Sequence, residues 1–121
     1  LTEKHDSDFD RIETAKQIAY KYHLIIILKS AHTAIVTPNG KVFFNSTGNP
    51  GMAKGGSGDV LTGIITGLLA RGYEPLESVI IGVFLHGYSA DIAIEKMSEE
   101  SLLANELINQ IGTSFFQLEN I

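Results

Sequence analysis

The sequence contains no cysteine. Disulfide bonds, thiol nucleophiles and thiolate metal ligands are therefore all excluded, and this composition suits a reducing compartment such as the cytoplasm. Basic residues are also few, since nine lysines and arginines stand against fourteen aspartates and glutamates and leave a net charge of −5. Together with the lack of a basic cluster, this balance argues against nucleic acid as a partner, so any phosphate group must be held by a local structure.

Long apolar segments are lacking as well. No uninterrupted apolar run approaches the ~20 residues that a membrane-spanning helix needs, and the N-terminal residues do not resemble a signal peptide. We therefore expect a soluble, cytoplasmic protein with no membrane partner. A chain of 121 residues is long enough for one small domain that buries about two-thirds of its unfolded surface.

The first part of the chain is typical of a helix, a strand and a hairpin. Apolar residues at helical spacing predict a helix that is capped by Asp8 or Asp10 and runs to about Tyr22. The β-branched run Leu24–Leu28 is too short for a helix and predicts an interior strand of a parallel sheet, buried on both faces. The stretches Thr33–Thr37 and Lys41–Asn45 flank Pro38-Asn39-Gly40, whose residue types favour a tight turn, so we expect a β-hairpin there.

Three later segments are typical of helices. An apolar stripe predicts a helix over residues 59–71, in which Gly63 and Gly67 are expected to let another backbone approach closely. Pro75 is expected to begin a second helix that is apolar almost all round, and a third, amphipathic helix with a short tail is expected over Leu102–Leu118. The predicted sheet is thin for so apolar a helix, so we expect another segment or a partner chain to supply the missing cover.

The stretch Asn45–Asp59, here called the glycine loop, has five glycines among its fifteen residues and leads into the first of these three helices. Glycine-rich backbone at a helix start presents N–H groups to an anion, and the helix dipole adds roughly half a positive charge. Four residues are expected to form such an anion hole: Gly55, Gly56, Ser57 and Gly58. A carboxylate beside a phosphate is electrostatically unfavourable, so Asp59 is expected to have chemical work, such as accepting a proton or holding a metal.

Two common phosphate-binding motifs do not fit the glycine loop. A Walker A loop requires a lysine after its second glycine, whereas Lys54 precedes the Gly-Gly pair. A dinucleotide fingerprint requires a third glycine that the stretch Gly56–Leu61 lacks. The remaining combination of an anion hole and an adjacent carboxylate suits phosphoryl transfer to a hydroxyl, in which the amides stabilise charge and Asp59 removes the proton.

The stretch Asn49–Gly63, preceded by Leu28–Thr33, closely resembles the ADP/ATP-dependent NAD(P)H-hydrate dehydratases, the C-terminal domain of YjeF-type proteins. The resemblance implies a ribokinase-like α/β fold with Rossmann-like layers, of which this chain has the C-terminal half, with a β-hairpin and packed helices. It also implies a lyase: the nucleotide phosphorylates the hydroxyl of hydrated NADH or NADPH, and phosphate is then eliminated to restore the double bond. The family domain is about twice as long, so residues 1–121 are expected to be the C-terminal part of one such domain.

The resemblance assigns roles to individual residues. The segment that contacts the nucleotide is matched by Lys29, Ser30, Ala31, His32 and Thr33, with serine at position 30 where glycine is usual. Gly58 matches a glycine that contacts the nucleotide phosphates, and Asp59 matches the catalytic and substrate-binding aspartate. Asn49 is also expected to bind the substrate. Ser57 stands where the family commonly has threonine.

The resemblance also implies cofactors and partners. ADP or ATP is the expected phosphoryl donor, with Mg²⁺ carried by the nucleotide, and no protein metal site is expected. His86 and Asp91 are one turn apart, but two candidate ligands on a core helix are more typical of a polar pair than of a metal site. A homotetramer and a fused N-terminal epimerase domain are implied by the family alone.

Two other functions are compatible with the same residues. A ribokinase-like small-molecule kinase would share the glycine loop and Asp59, but it would stop after phosphorylation. A noncatalytic nucleotide-binding module is the second alternative, because the earlier half of the family domain has no counterpart here.

Overall fold

The computed structural model describes residues 7–120, which form two compact units that divide after Asn45. The first unit contains helix α1 (Asp8–Tyr22) and strands β1 (Ile26–Leu28), β2 (Ala34–Val36) and β3 (Val42–Phe44). The second contains helices α2 (Ser57–Ala70), α3 (Pro75–Ala93) and α4 (Ala104–Glu119), with short 3-10 helices at Pro50–Met52 and Glu99–Ser101. This mixture of helices and a small sheet agrees with the predicted α/β class.

Helix α1 has caps at both ends. Ser7 precedes it, and the Ser7 Oγ accepts a hydrogen bond of 3.2 Å from the backbone N–H of Asp10, which satisfies one N–H that the helix itself leaves unpaired. His23 follows it in the left-handed conformation, with φ of 54°, and its N–H donates to the Ala19 carbonyl. Buried alanines of α1 pack against β2. The predicted helix is confirmed and ends at Tyr22 as expected, but its N-cap is Ser7 and not Asp8 or Asp10.

The predicted hairpin is also confirmed. Strands β2 and β3 pair antiparallel, with Val36 opposite Val42. The turn is closed by the Thr37 N–H, which donates to the Lys41 carbonyl at 2.9 Å. Gly40 has a φ of 84°, a conformation that glycine adopts without steric cost. Local turn residues therefore set the register of this pair.

Strand β1 differs from the expectation. It pairs antiparallel with β2, with Ile27 opposite Ile35, and the order β1-β2-β3 puts it at an edge of the sheet formed by residues 7–45. Its three residues are half-buried, whereas those of β2 are buried. The prediction of an interior parallel strand is therefore wrong for this sheet. The apolar run has another cause, because Ile26 and Leu28 pack against the buried face of α1.

Helix α3 forms the core of the second unit. Pro75 occupies its first turn, and buried residues recur from Ser78 to Ala93. By length and composition the helix is apolar enough to cross a membrane, but 61% of its apolar window is buried within the protein, as in the core helix of a soluble protein. Helices α2 and α4 both pack along it. Most of the cover that the sequence pattern requires is thus supplied within the unit itself.

The close approach of helices depends on glycines other than the two predicted. A Cβ at Gly82 of α3 would lie 2.7 Å from Ile65 Cγ1, so α2 and α3 meet there. At Gly63 and Gly67 a Cβ would have no described neighbour within 4 Å. The predicted packing role of these two is therefore wrong among the described residues, because the face of α2 that carries them does not meet α3.

The last helix begins and ends later than predicted. Leu102 precedes α4, yet it is only 1% exposed and packs in the same cluster as Leu107. The tail is helical through Glu119, and the buried Ser114 hydroxyl lies 2.8 Å from that of Ser89 on α3. The apolar pattern thus includes buried residues such as Leu107, but one of them, Leu102, belongs to the connection before the helix.

Candidate active site

The glycine loop ends at the start of helix α2. Gly56 precedes α2 with a φ of 90°, and α2 begins when the Val60 N–H donates to the Gly56 carbonyl at 3.1 Å. The geometry of any α-helix leaves the N–H groups of its first turn without intrahelical partners. Gly55 and Gly56 are exposed, and Gly58 is half-buried. These glycines are placed as an anion site requires.

Ser57 plays a different part from its glycine neighbours. Its side chain is 8% exposed and its Oγ lies 3.1 Å from Nε2 of the buried His86 on α3. Its N–H donates to the Lys54 carbonyl at a long 3.3 Å. Ser57 therefore faces the core of the unit, and it anchors the helix start more directly than it could bind an anion.

Asp59 is an exposed residue in the first turn of α2. The positive end of the helix dipole favours a carboxylate at this position. Gly58 lies in the same turn, and Gly55 and Gly56 directly precede it, so the predicted base and the predicted anion hole lie at one helix start. A substrate hydroxyl that reaches the carboxylate would also lie close to a phosphate on those amides.

An apolar groove of about 690 Å³ lies beside Asp59, between α2 and α4. Gly56 and Asp59 line one end of it and Arg71 the other. Its walls are formed mainly by Val60, Gly63, Ile64 and Gly67 of α2 and by Ile108, Ile111 and Phe115 of α4. A mostly apolar cleft of this size, with few polar groups at its ends, is typical of a small-molecule site. The two glycines leave a flat stretch of backbone that suits a planar group.

Asn49 lies at the start of the loop and is held by its own neighbours. Its Nδ2 donates to Oδ1 of Asp91 at 2.9 Å, and its Oδ1 accepts from the Gly51 N–H at 3.0 Å. The Gly48 N–H donates to the other oxygen of Asp91 at 3.0 Å. The predicted substrate residue is thus part of a hydrogen-bonded network that shapes the loop.

Helix α3 contacts the loop through residues that the sequence reasoning did not assign to the site. A Cβ at Gly87 would lie 2.3 Å from Thr47 Oγ1, so the loop rests directly on the helix backbone. The Thr47 Oγ1 also donates to the Phe84 carbonyl at 2.8 Å. The structure pairs both His86 and Asp91 with loop residues, through Ser57 for His86 and through Gly48 and Asn49 for Asp91. Their presence in an otherwise apolar helix was the available signal.

Lys54 does not face the glycines of the loop in this structure. Its Nζ donates to the backbone carbonyl of Glu99 at 3.2 Å and to that of Glu100. These carbonyls belong to the short 3-10 helix that precedes α4. Lys54 therefore joins the loop to that segment.

The predicted nucleotide segment forms the connection between β1 and β2 in the first unit. Lys29, Ser30, Ala31 and His32 are exposed, and Thr33 is half-buried. The Ser30 Oγ donates to the His32 carbonyl at 2.8 Å. Among residues 7–120 the positive φ values outside glycine are confined to His23. Serine at position 30 therefore needs no left-handed backbone, although glycine is usual there in the family.

Residues 7–120 contain no group of three or more His, Cys, Asp and Glu side chains that could hold a metal ion. Asp59 alone offers carboxylate oxygens at the mouth of the groove. Mg²⁺ commonly keeps several waters and binds through one or two carboxylates together with substrate phosphates. The donor set fits an ion that arrives with a nucleotide better than a dedicated metal site.

Comparisons with known proteins agree on one family. The profile described as NAD(P)H-hydrate dehydratase matches residues 1–113. A bifunctional NAD(P)H-hydrate repair enzyme of Moorella thermoacetica is 43% identical over 100 residues, which are 83% of this chain and 19% of that protein.

Solved structures add the fold. The ADP/ATP-dependent NAD(P)H-hydrate dehydratase of Bacillus subtilis, co-crystallised with ATP and Mg²⁺, matches with a TM-score of 0.84 and 38% identity over 90% of this chain and 39% of that one. A ribokinase-like superfamily protein of Enterococcus faecalis matches with a TM-score of 0.75 and 33% identity, over 87% of this chain and 36% of that one. The expected ribokinase-like fold is confirmed, and the chain spans about a fifth to two-fifths of these proteins.

Proposed function

The chain belongs to the NAD(P)H-hydrate dehydratase family, and we propose from this that it carries the phosphoryl-transfer centre of an enzyme that repairs hydrated NADH or NADPH. The donor is ADP or ATP. The placement of Asp59 carries the proposal: an exposed carboxylate in the first turn of α2 lies within a few residues of Gly55, Gly56 and Gly58, whose amides would hold the phosphate. The activity is that of a hydro-lyase.

The proposed reaction has two steps. In the first, Asp59 accepts the proton of the ring hydroxyl of the substrate. The hydroxyl oxygen attacks the terminal phosphorus of the nucleotide, and the bond from that phosphorus to the leaving phosphate oxygen breaks. In the second, the ring C–O bond breaks and phosphate leaves, a proton is lost from the adjacent ring carbon, and the double bond of NAD(P)H forms. The amides of Gly55, Gly56 and Gly58 stabilise the charge on the phosphoryl group in transit.

The family resemblance assigns nucleotide contacts to residues 29–33 of the first unit and, separately, assigns a contact with the phosphates of the nucleotide to Gly58 of the second unit. The groove between α2 and α4 receives the nucleotide base, since the groove begins beside the anion site and offers a flat, apolar surface at Gly63 and Gly67. Mg²⁺ supplies charge neutralisation on the phosphates when it is bound with the nucleotide.

Other features of the whole protein stay predictions. The relative from Moorella thermoacetica is named as bifunctional, which supports a further domain beside this one. The fused epimerase domain, the tetramer, the cytoplasmic location and the assignment of residues 1–121 to one domain await their own measurements.

The variant Asp59→Asn tests the proposal. It keeps the shape of the side chain but removes the base, so nucleotide-dependent recovery of NADH absorbance from hydrated NADH should fall by about 100-fold or more. Inorganic phosphate and ADP should still bind, because the amides are unchanged. Glu77→Gln is the matched control, since Glu77 is an exposed acid in the first turn of α3 and lies outside the site.

The assay is made with the chain alone and with the chain supplemented by the N-terminal part of the Bacillus subtilis relative. Unchanged turnover by Asp59→Asn would remove Asp59 from the chemistry. A stable phosphorylated product, in place of free phosphate and NADH, would identify a kinase instead. If the chain binds ADP but shows no turnover, either alone or with the added N-terminal part, it acts as a nucleotide-binding module.

A further inference from the structure

Helix α3 holds the glycine loop at both of its ends. Near the beginning of the loop, the Asp91 carboxylate accepts hydrogen bonds from the Gly48 N–H and the Asn49 side chain at 3.0 and 2.9 Å. At the end of the loop, His86 lies 3.1 Å from the Ser57 hydroxyl. Five residues of helix correspond to about 7.5 Å along its axis. The helix backbone therefore fixes the positions of His86 and Asp91 relative to each other.

At Gly87, which lies between His86 and Asp91 on the helix, the loop lies against the helix backbone itself. A Cβ on Gly87 would lie 2.6 Å from the Thr47 backbone carbon and 2.8 Å from the Gly48 nitrogen. A side chain at this position would displace the loop from the helix. The Gly48 N–H can therefore reach the Asp91 carboxylate because the residue one turn earlier is glycine.

We propose that Asp91 is a positioning residue for phosphate binding, which acts through Gly48 and Asn49 and has no contact with the ligand. The proposal rests on the proposed function for the identity of the ligand, while the loop geometry is observed independently. By fixing the beginning of the loop, Asp91 determines the path of the backbone that ends in the amides of Gly55 to Gly58. Asn49 contributes as the other half of the pair.

The chemistry of the pair requires one carboxylate and one carboxamide. Both groups that point at Asp91 are donors, and a carboxylate accepts with both of its oxygens. An asparagine at position 91 has one acceptor and one donor, so either the Gly48 N–H or the Asn49 Nδ2 would face another donor. An aspartate at position 49 would place two carboxylates together. Each single exchange therefore breaks the network.

The reciprocal double exchange restores every hydrogen bond of the network. In Asn49→Asp with Asp91→Asn, the new residue 91 accepts from the Gly48 N–H and donates to residue 49. Residue 49 then accepts that bond with one oxygen and the Gly51 N–H with the other. A double-mutant cycle over these positions thus separates the network from the identity of either side chain.

The experiment measures the affinity of the 121-residue chain for inorganic phosphate and for ADP by titration calorimetry. Each single variant, Asp91→Asn and Asn49→Asp, is expected to weaken binding about tenfold, because the loop amides lose their fixed geometry and each tenfold corresponds to about 1.4 kcal/mol. The double variant is expected to return within about threefold of the parent. Glu95→Gln, at an exposed acid just beyond α3, is the control and should bind as the parent does.

Amide hydrogen exchange of Gly48 is measured on the same samples. It should be faster in both single variants and slow again in the double variant. If Asp91→Asn binds phosphate as the parent does, or if the double variant is as weak as the single ones, Asp91 does not position the site. If the parent binds neither phosphate nor ADP, the proposed function fails, and unchanged Gly48 exchange in Asp91→Asn would overturn the positioning role separately.

Discussion

Gly87→Ala is the most direct test of how the glycine loop rests on α3. The added methyl group would lie 2.3 Å from Thr47 Oγ1 and 2.6 and 2.8 Å from the backbone atoms of Thr47 and Gly48. These distances are shorter than van der Waals contacts, and two of the three atoms belong to the backbone. Rotation of the Thr47 side chain alone cannot relieve the clash, so the loop must move away from the helix.

The expected loss in the free energy of unfolding has three contributions. Overpacking of a closely packed site costs about 3 kcal/mol, at the upper end of the usual range. Loss of the hydrogen bond between Thr47 and the Phe84 carbonyl adds about 1 kcal/mol, and alanine in a helix returns about 1 kcal/mol relative to glycine. The net loss in the free energy of unfolding is about 3 kcal/mol, equivalent to a fall of about 10 °C in Tm for a chain of this size.

Gly63→Ala is the matched variant, because a Cβ at Gly63 has no described neighbour within 4 Å. It should gain about 1 kcal/mol from helix propensity alone. Urea denaturation followed by circular dichroism gives both values, and their difference removes the contribution of helix propensity, which leaves the steric cost and the lost hydrogen bond of Thr47. If Gly87→Ala is as stable as Gly63→Ala, the loop does not rest on α3 as described, and the close contact at Gly87 is refuted.

Two further predictions concern the surroundings of the site. Lys54→Met should lower the free energy of unfolding by about 1 kcal/mol, because the bonds to the Glu99 and Glu100 carbonyls are lost, and calorimetry should show phosphate affinity within about twofold of the parent. A tenfold loss would instead place the Lys54 ammonium at the phosphate. Gly67→Leu should fill the groove and weaken ADP binding about tenfold while inorganic phosphate binds normally, whereas Thr66→Leu, outside the groove lining, should leave both unchanged. If both leucine variants bind ADP equally well, the nucleotide base does not bind in the groove.

Sequence patterns predicted the elements whose causes are local. The end of α1 at Tyr22 follows from its apolar spacing, although the helix is capped by Ser7 and not by an aspartate. The β2–β3 register follows from Pro38-Asn39-Gly40. The glycines of the loop and Asp59 are likewise close together in the sequence, so their association at a helix start could be predicted from the sequence alone. The roles assigned to these site residues stay predictions until the variants are measured.

Features that depend on distant contacts were not predictable in the same way. The apolar run around β1 indicates burial, but it carries no information about strand direction or about which strand lies at an edge. Likewise, glycines four apart in α2 gave a plausible packing face, whereas the glycine that meets the neighbouring helix is Gly82 on α3. Helical spacing identifies the residues that share a face, but tertiary packing decides which face is used.

The two hydrogen bonds from the glycine loop to Asp91 join residues 43 and 42 positions apart in the chain. Closing so long a segment costs entropy that must be repaid by other contacts, so these bonds are expected to form only after α2 and α3 have paired. The loop would then be completed late in folding. A phosphate that binds only the completed loop would stabilise the folded unit and leave partly folded states unaffected. Ligand affinity would therefore report on the completion of the fold as well as on the chemistry of the site.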